Sequence, residues 1–227
     1  IGRTTFHIGI FLLPSAFSFS VLFLLISVFL NSFNYKMIFK QKWNYPFFAV
    51  AILMLVRNIF SEINFLVPSR PSFLEEVGWL DLLNWIPLIW AFSCFQICLN
   101  TKKDREICSG LLLAGTLPIL VSGFAQYFLG WHGPLEAFNG LLVWYQRSVE
   151  SRGYNALTGP FNNQNYAGAW LATILPICFF KLKKHFENNY KRIIFLTLFL
   201  ILFIGILLTT SRNAIIASLI SIPIMLG

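Results

Sequence analysis

Charge is what this sequence has least of. Only 11% of its 227 residues are Asp, Glu, Lys or Arg, and nine are acidic, whereas a soluble domain carries about a quarter charged residues. That scarcity, alongside 57% hydrophobic and 17% aromatic residues, excludes an ordinary soluble domain and indicates a membrane protein. Cysteine is scarce too: Cys94, Cys98, Cys108 and Cys178 sit in apolar runs, without the Cys-x-x-Cys spacing of zinc or redox sites. They read as small buried hydrophobes. No paired carboxylates, Ser-His-Asp set, Walker loop or metal-ligand spacing occurs, so neither a metal nor a cofactor is expected. There is no internal repeat and no low-complexity segment. A cleavable signal is also missing, because the run from Ile8 to Leu30 is longer than a signal's apolar region and lacks a basic lead. The chain opens with Ile1 and stops at Gly227 inside an apolar run, as expected of a piece of a longer polytopic chain.

What is present is a series of apolar runs long enough to cross a hydrocarbon layer of about 30 Å as helices. They lie at 8–30, 46–67, 82–99, 107–129, 166–180, 193–208 and from 214 to the end, which predicts an all-α, polytopic helix bundle of about seven crossings. Basic residues sort between alternate loops. Lys36, Lys40, Lys42, Lys102, Lys103, Arg105, Lys181, Lys183, Lys184, Lys191 and Arg192 make eleven of the seventeen and fall in loops 31–45, 100–106 and 181–192. Such a bias marks the cytoplasmic side. Loops 68–81, 130–165 and 209–213 then face outward, with Glu75, Glu76, Asp81, Glu136 and Glu150. The net charge of +8 therefore reflects topology, and no nucleic-acid partner is expected.

Two outer loops have helical patterning of their own. Ser72-Phe-Leu-Glu75 reads as a capping box opening a helix toward the third crossing. From Pro134 to Glu150, Leu135, Phe138, Leu141, Leu142 and Tyr145 recur at helical spacing, with Trp131 and Trp144 as headgroup-level anchors, which predicts an in-plane interfacial helix within the 130–165 loop.

Two polar knots interrupt the hydrocarbon. The longer runs from Ser151 to Gly168, where Phe161-Asn-Asn-Gln-Asn165 places four amide side chains at a helix start, with Asn165 the expected N-cap. The shorter is Thr209-Thr-Ser-Arg-Asn213, a tight turn between two apolar runs. Both emerge outward and read as walls of one site, Asn162, Asn163, Asn165 and Ser211 shaping it.

Arg212 sits at the edge of the hydrocarbon, where a charge is costly without an anionic partner, and its planar fork of donors suits phosphate oxygens. Its bland alternative is a snorkelling interfacial Arg. Arg152 and Arg147 lie in the outer loop, and either can join Arg212 in giving a pyrophosphate its second positive charge. Position alone does not separate them. Arg57 falls within the second crossing, so it reads either as part of a substrate path or as a structural residue pairing with Glu62 or capping carbonyls on a neighbouring helix, in each case inside the bundle. His132, in Gly-Trp-His-Gly-Pro, is the one outer-loop histidine and reads either as a general base or as an ordinary interfacial loop His, so the catalytic residue stays unassigned.

At the two knots the sequence resembles the O-antigen ligase and O-antigen polymerase superfamily, multi-pass bacterial envelope proteins whose relatives include inorganic-carbon transporters. Thr158-Gly-Pro-Phe-Asn-Asn-Gln-Asn-Tyr-Ala-Gly168 is similar to the family's Gly-x-Phe-x-Asn-x-Asn helix start, and Leu208-Thr-Thr-Ser-Arg-Asn213 to its Thr-x-Ser-Arg turn. The resemblance implies a GT-C-like inner-membrane enzyme that moves a glycan from undecaprenyl pyrophosphate to an acceptor sugar on the outer face, with no metal. Arg212 would clamp the pyrophosphate, and Arg152 would be the second clamp, although the family's Arg three residues before the Gly is Ala156 here. The family's catalytic His, expected further downstream, has no counterpart in this chain. The alternative is a small-anion transporter of bicarbonate type, with Arg57 lining the path.

Overall fold

A computed structural model describes residues 1–62, 72–148 and 156–226, apart from the side chains of 61, 62, 72–78, 81 and 226. Among the described residues the protein is largely helical, and five helical stretches, Lys42–Phe60, Leu82–Leu99, Lys102–Leu129, Gln164–Lys184 and Asn189–Leu208, are long and apolar enough to cross a membrane. The helices are α1 (Gly2–Leu12), α2 (Phe17–Ser32), α3 (Tyr35–Lys40), α4 (Tyr45–Glu62), α5 (Ser72–Phe95), α6 (Lys102–Leu129), α7 (Gln164–Lys184), α8 (Asn189–Leu208) and α9 (Arg212–Leu226). Short 3-10 turns at Lys42–Asn44 and Gln96–Leu99 precede α4 and follow α5.

The predicted first crossing, 8–30, is two helices. Pro14 has no N–H to donate and its ring clashes with the carbonyl of the preceding turn, so α1 ends at Leu12 and α2 starts at Phe17. Ser15 and Ala16 both donate back to Leu12 O across the bend. Pro87, Pro118, Pro176 and Pro223 instead lie inside helices that continue past them. The capping-box residues and the start of this helix border or fall outside the described residues; from Ser72 onward α5 runs unbroken into the third apolar run.

The in-plane helix is also not observed. Leu135–Ala137 (β1) and Leu142–Trp144 (β2) pair antiparallel, with Leu135 opposite Trp144. Phe138, Asn139 and Gly140 adopt φ of 53°, 54° and 84°, a left-handed run that no right-handed helix accepts. Asn139-Gly140 is the hairpin signal here, since both types tolerate positive φ in tight turns. It prevails over helical spacing that the same apolar residues satisfy by coincidence.

The chain forms two compact units, residues 1–6 with 23–105 and residues 7–22 with 106–227. In the first, α4 packs on α5, and Ile38, Cys94 and Ile97 form a small core covered by Val28, Phe48 and Trp90. Polar bonds tie this unit. Asn31 Nδ2 donates to Ser27 Oγ and Cys98 Sγ, Trp90 Nε1 to Ser32 Oγ at 2.8 Å, and Asp104 pairs with Arg3 at 3.3 Å. Thr101 and Asp104 cap α6 reciprocally, each side chain bonded to the other's backbone N–H.

The second unit has a larger core. Leu113, Ile119 and Leu120 of α6 join Leu171, Ile174, Leu175 and Cys178 of α7, Leu202 and Ile206 of α8, and Ala214 of α9. Gly205 lets α8 approach, since a Cβ there would meet Leu171 and Leu120 side chains at 3.3–3.4 Å. At one end of this unit Lys184 pairs with Glu106 at 2.7 Å, and Lys181 Nζ donates to Glu106 O at 2.9 Å. The other end of α6, twenty residues on and about 30 Å away along the helix, carries the polar knots.

Candidate functional site

The site begins with a glutamine inside the apolar α6. Gln126 is fully buried, and a carboxamide in such surroundings must be bonded on both sides to be tolerated. Its Nε2 donates to Arg147 O at 2.7 Å and to Thr158 Oγ1 at 2.9 Å. Its Oε1 accepts from Thr158 N at 2.9 Å and Gly159 N at 3.0 Å. One side chain thereby holds the segment after β2 and the first polar knot on the same helix end. Tyr145 N donates to Pro160 O at 3.1 Å, and Gln146 Nε2 to Ser122 O at 2.8 Å, adding two further ties. Gly159 is required here, because its φ is +55° and Ile119 O lies 3.3 Å from where a Cβ would stand.

The hairpin is anchored in the same unit. Trp144 Nε1 donates to Ser15 O at 2.6 Å, at the bend between α1 and α2, so this Trp serves as a tie, while Trp131 is 52% exposed.

Beyond Pro160 the amides divide their work. Asn163 caps α7: its backbone is extended and its Oδ1 accepts from Asn165 N at 2.8 Å. The expected cap, Asn165, is instead the second residue of the helix and is exposed. In Asn-Asn-Gln-Asn165 every polar position resembles a cap locally, and the turn at 156–161 decides which one stands at the helix start. Asn162 faces Arg147: Arg147 Nε donates to Asn162 Oδ1 at 2.6 Å.

The second knot joins the first directly. Leu157 N donates to Leu208 O at 2.9 Å, satisfying one of the carbonyls that a helix C-terminus leaves over. Thr209 is buried and closes α8, its Oγ1 donating to Ile206 O at 2.6 Å and accepting from Ser211 N at 3.3 Å. Thr210 turns the chain with φ of 54°. Gly168 of α7 makes the contact possible, since a Cβ on it would stand 2.8 Å from Ala214 Cβ, 2.9 Å from Ser211 Cβ and 3.1 Å from Thr209 Oγ1. Ser211 is buried, and Arg212 opens α9 with its side chain exposed.

Arg147 is thus bound to a residue just before α7, and Arg212 follows a serine packed against Gly168, four residues or about 6 Å into the same helix. Neither makes an ion pair among the described residues, where the pairs are Arg3–Asp104 and Lys184–Glu106. Arg147, bonded just before the start of α7, and Arg212, at the start of α9, thus bring two guanidinium groups without an ion pair among the described residues to the end of the unit that carries both knots. Such an arrangement attracts anions. Among the described residues, no three His, Cys, Asp or Glu side chains stand close enough to share a metal ion.

The remaining candidates fall elsewhere in the chain. Arg152 lies outside the described residues, as does the Glu62 side chain. His132 is exposed, and its Nδ1 sits 3.0 Å from Gly130 O in a local turn. Arg57 is exposed on α4 in the first unit, where an interior position was expected. Leu53, Val56 and Phe60 around it are exposed as well, so among the described residues this stretch of α4 offers the guanidinium no covering surface. Gln126, Gln146, Ser122 and Gly168 are the residues that sequence reasoning passed over. Two amides in or beside an apolar crossing were the available signal, since such groups are costly in hydrocarbon unless they are bonded. Compared with family models, curated proteins and solved structures, the chain matches none of them.

Proposed function

We propose that the chain belongs to a polytopic, GT-C-like membrane glycosyl transferase of O-antigen ligase or polymerase type, acting on the outer face of a bacterial inner membrane. One observation carries this reading: both polar knots meet at one end of the second unit, with Arg147 bonded just before α7 and Arg212 opening α9, neither in an ion pair among the described residues. The basic cluster of Lys181, Lys184 and Lys191 lies toward the opposite end of α7, a separation that suits opposite membrane faces.

In the proposed reaction an acceptor sugar hydroxyl attacks the anomeric carbon of a glycan on undecaprenyl pyrophosphate. The bond to the acceptor oxygen forms as the bond to the pyrophosphate oxygen breaks, and the hydroxyl proton goes to a base. Charge develops on the departing pyrophosphate. Arg212 holds it through a bidentate fork, and Arg147, oriented by Asn162, supplies the second cation. Asn165 and the α7 N-terminus face the same anion. The base is His132 or a group outside residues 1–227.

The test is the full-length protein in liposomes, given an undecaprenyl-pyrophosphate glycan and an acceptor. Arg212→Ala should lower transfer about ten- to more than a hundredfold, the value of a charge-assisted hydrogen bond of about 1.5–3 kcal/mol. Arg212→Lys should lose less, and both should insert at parental abundance. Full transfer by Arg212→Ala removes the clamp, whereas bicarbonate flux without glycan transfer by the parent moves the reading to the transporter. Single cysteines at Asn139 and Glu187, in a background without native Cys, should label oppositely with an impermeant maleimide. Outward labelling at 187 reverses the orientation.

A further inference from the structure

A second polar feature lies in the first unit. The two 3-10 turns frame a pocket of about 400 Å³. Gln41, Asn100 and Arg105 form its polar rim, and Trp43, Phe47 and Leu99 its apolar wall. The rim is built from bonds between two separate loops. Gln41 Nε2 donates to Asn100 Oδ1 at 2.8 Å, and Arg105 Nη1 donates to Leu99 O at 2.9 Å and Asn100 O at 3.0 Å. Asn44, fully buried, fixes the first turn by donating from Nδ2 to Ile38 O at 2.9 Å. Arg105 is thereby held at the pocket by one nitrogen, and its remaining N–H groups make no bond among the described residues.

The charge around this pocket is one-sided. Lys40, Lys42, Lys102 and Lys103 flank the rim residues in sequence and are exposed. Neighbouring Asp104 is buried and committed to Arg3 and Thr101, and Glu106 is paired with Lys184. Among the described residues Arg105 itself makes no ion pair, its bonds going to backbone carbonyls. We propose that this pocket binds the headgroup of an anionic phospholipid, its phosphodiester on Arg105, Gln41 and Asn100 and its acyl chains along α4.

The apolar wall selects a lipid over a soluble phosphate. Trp43 is 79% exposed, an amphipathic ring of the kind that sits at headgroup level. Below it Phe47, Val50 and Leu53 of α4 are exposed too, and only 6% of that span is buried. A free phosphate gains nothing from such a slope, whereas acyl chains do. A zwitterionic headgroup, carrying no net charge, gains little from the surplus of cations.

The experiment is native mass spectrometry of the detergent-solubilised full-length protein titrated with phosphatidylglycerol or phosphatidylcholine. The parent should retain phosphatidylglycerol in preference to phosphatidylcholine, and Arg105→Gln should weaken that retention about five- to tenfold. Trp43→Ala, which removes an exposed ring and leaves the turn's bonds in place, should weaken both lipids by a smaller factor. Lys191→Gln, an equal charge change in the second unit, should leave retention unchanged. Parental retention by both Arg105→Gln and Trp43→Ala overturns the site, and so does an equal loss in Lys191→Gln, which would mean unspecific charge attraction. Displacement of phosphatidylglycerol by millimolar inorganic phosphate also overturns it, in favour of a soluble anion.

Discussion

α4 and α6 are both apolar enough to cross a membrane, yet 6% of one span is buried and 44% of the other. Their hydrophobicity does not account for this, because lipid tails are as apolar as leucine and provide no reason for one helix to seek another. Small and polar residues do. α6 carries Gly115 against the backbone of Phe11, Gly123 against Leu157, Thr116 accepting from Trp170 Nε1 at 3.0 Å, and Gln126 with its four bonds. α4 has no glycine, and its surface is mostly exposed Phe, Val, Ile and Leu. Apolar length marks a helix as membrane-crossing, while interruptions of that apolarity mark the face that meets protein.

Four substitutions test this contrast. Gln126→Leu should have the largest effect, because it strands the N–H groups of Thr158 and Gly159 and the carbonyl of Arg147, at about 1–3 kcal/mol each. A loss of about 3 kcal/mol or more should appear as a lowered thermal midpoint in detergent, with faster hydrogen exchange at residues 158 and 159. A midpoint equal to the parent's would mean that Gln126 is dispensable.

Gly168→Ala comes next. Helix propensity favours the change by about 1 kcal/mol, but the new methyl meets Cβ atoms of Ala214 and Ser211 at 2.8 and 2.9 Å. Those atoms move only with their backbones, and overpacking costs about 1–3 kcal/mol. A net destabilisation of about 1 kcal/mol is expected in thermal unfolding, and a stabilised variant would refute the tight approach of α7 and α9.

Lys184→Ala removes a partly exposed ion pair with Glu106, for which about 0.5 kcal/mol is expected, shrinking as salt is raised. An effect insensitive to salt would show that the side chain acts through packing instead. Arg57→Leu, on the exposed face of α4, should change stability least, within about 0.5 kcal/mol. A loss of 2 kcal/mol or more would restore the interior role expected from its place in the apolar run.

Much of the candidate site was readable before any coordinates. A run of amides after Gly159-Pro160 announces a turn and a helix start, and Thr-Thr-Ser-Arg212 announces a break between two crossings. Both are local properties of a few adjacent residues. Their meeting was an expectation from topology, and Leu157 N to Leu208 O realises it. Asn163 against Asn165 as the cap, and Arg147 as the partner of Asn162, were not readable, because identical residue types compete at neighbouring positions.

The amino-acid sequence by itself determined that this is a helical membrane protein, where most of its helices run, and where polar turns interrupt them. Backbone groups in hydrocarbon must bond within their own segment, so local apolarity and turn chemistry suffice for those assignments. Tertiary structure decided the rest. Pro14 breaks a helix where four other prolines do not, Asn139-Gly140 turns an apparent helix into a hairpin, and Gln126 reaches residues 32 and 33 positions away to hold the site together. These outcomes depend on which distant groups arrive to satisfy a freed carbonyl or a buried amide, and no local window of sequence contains both partners.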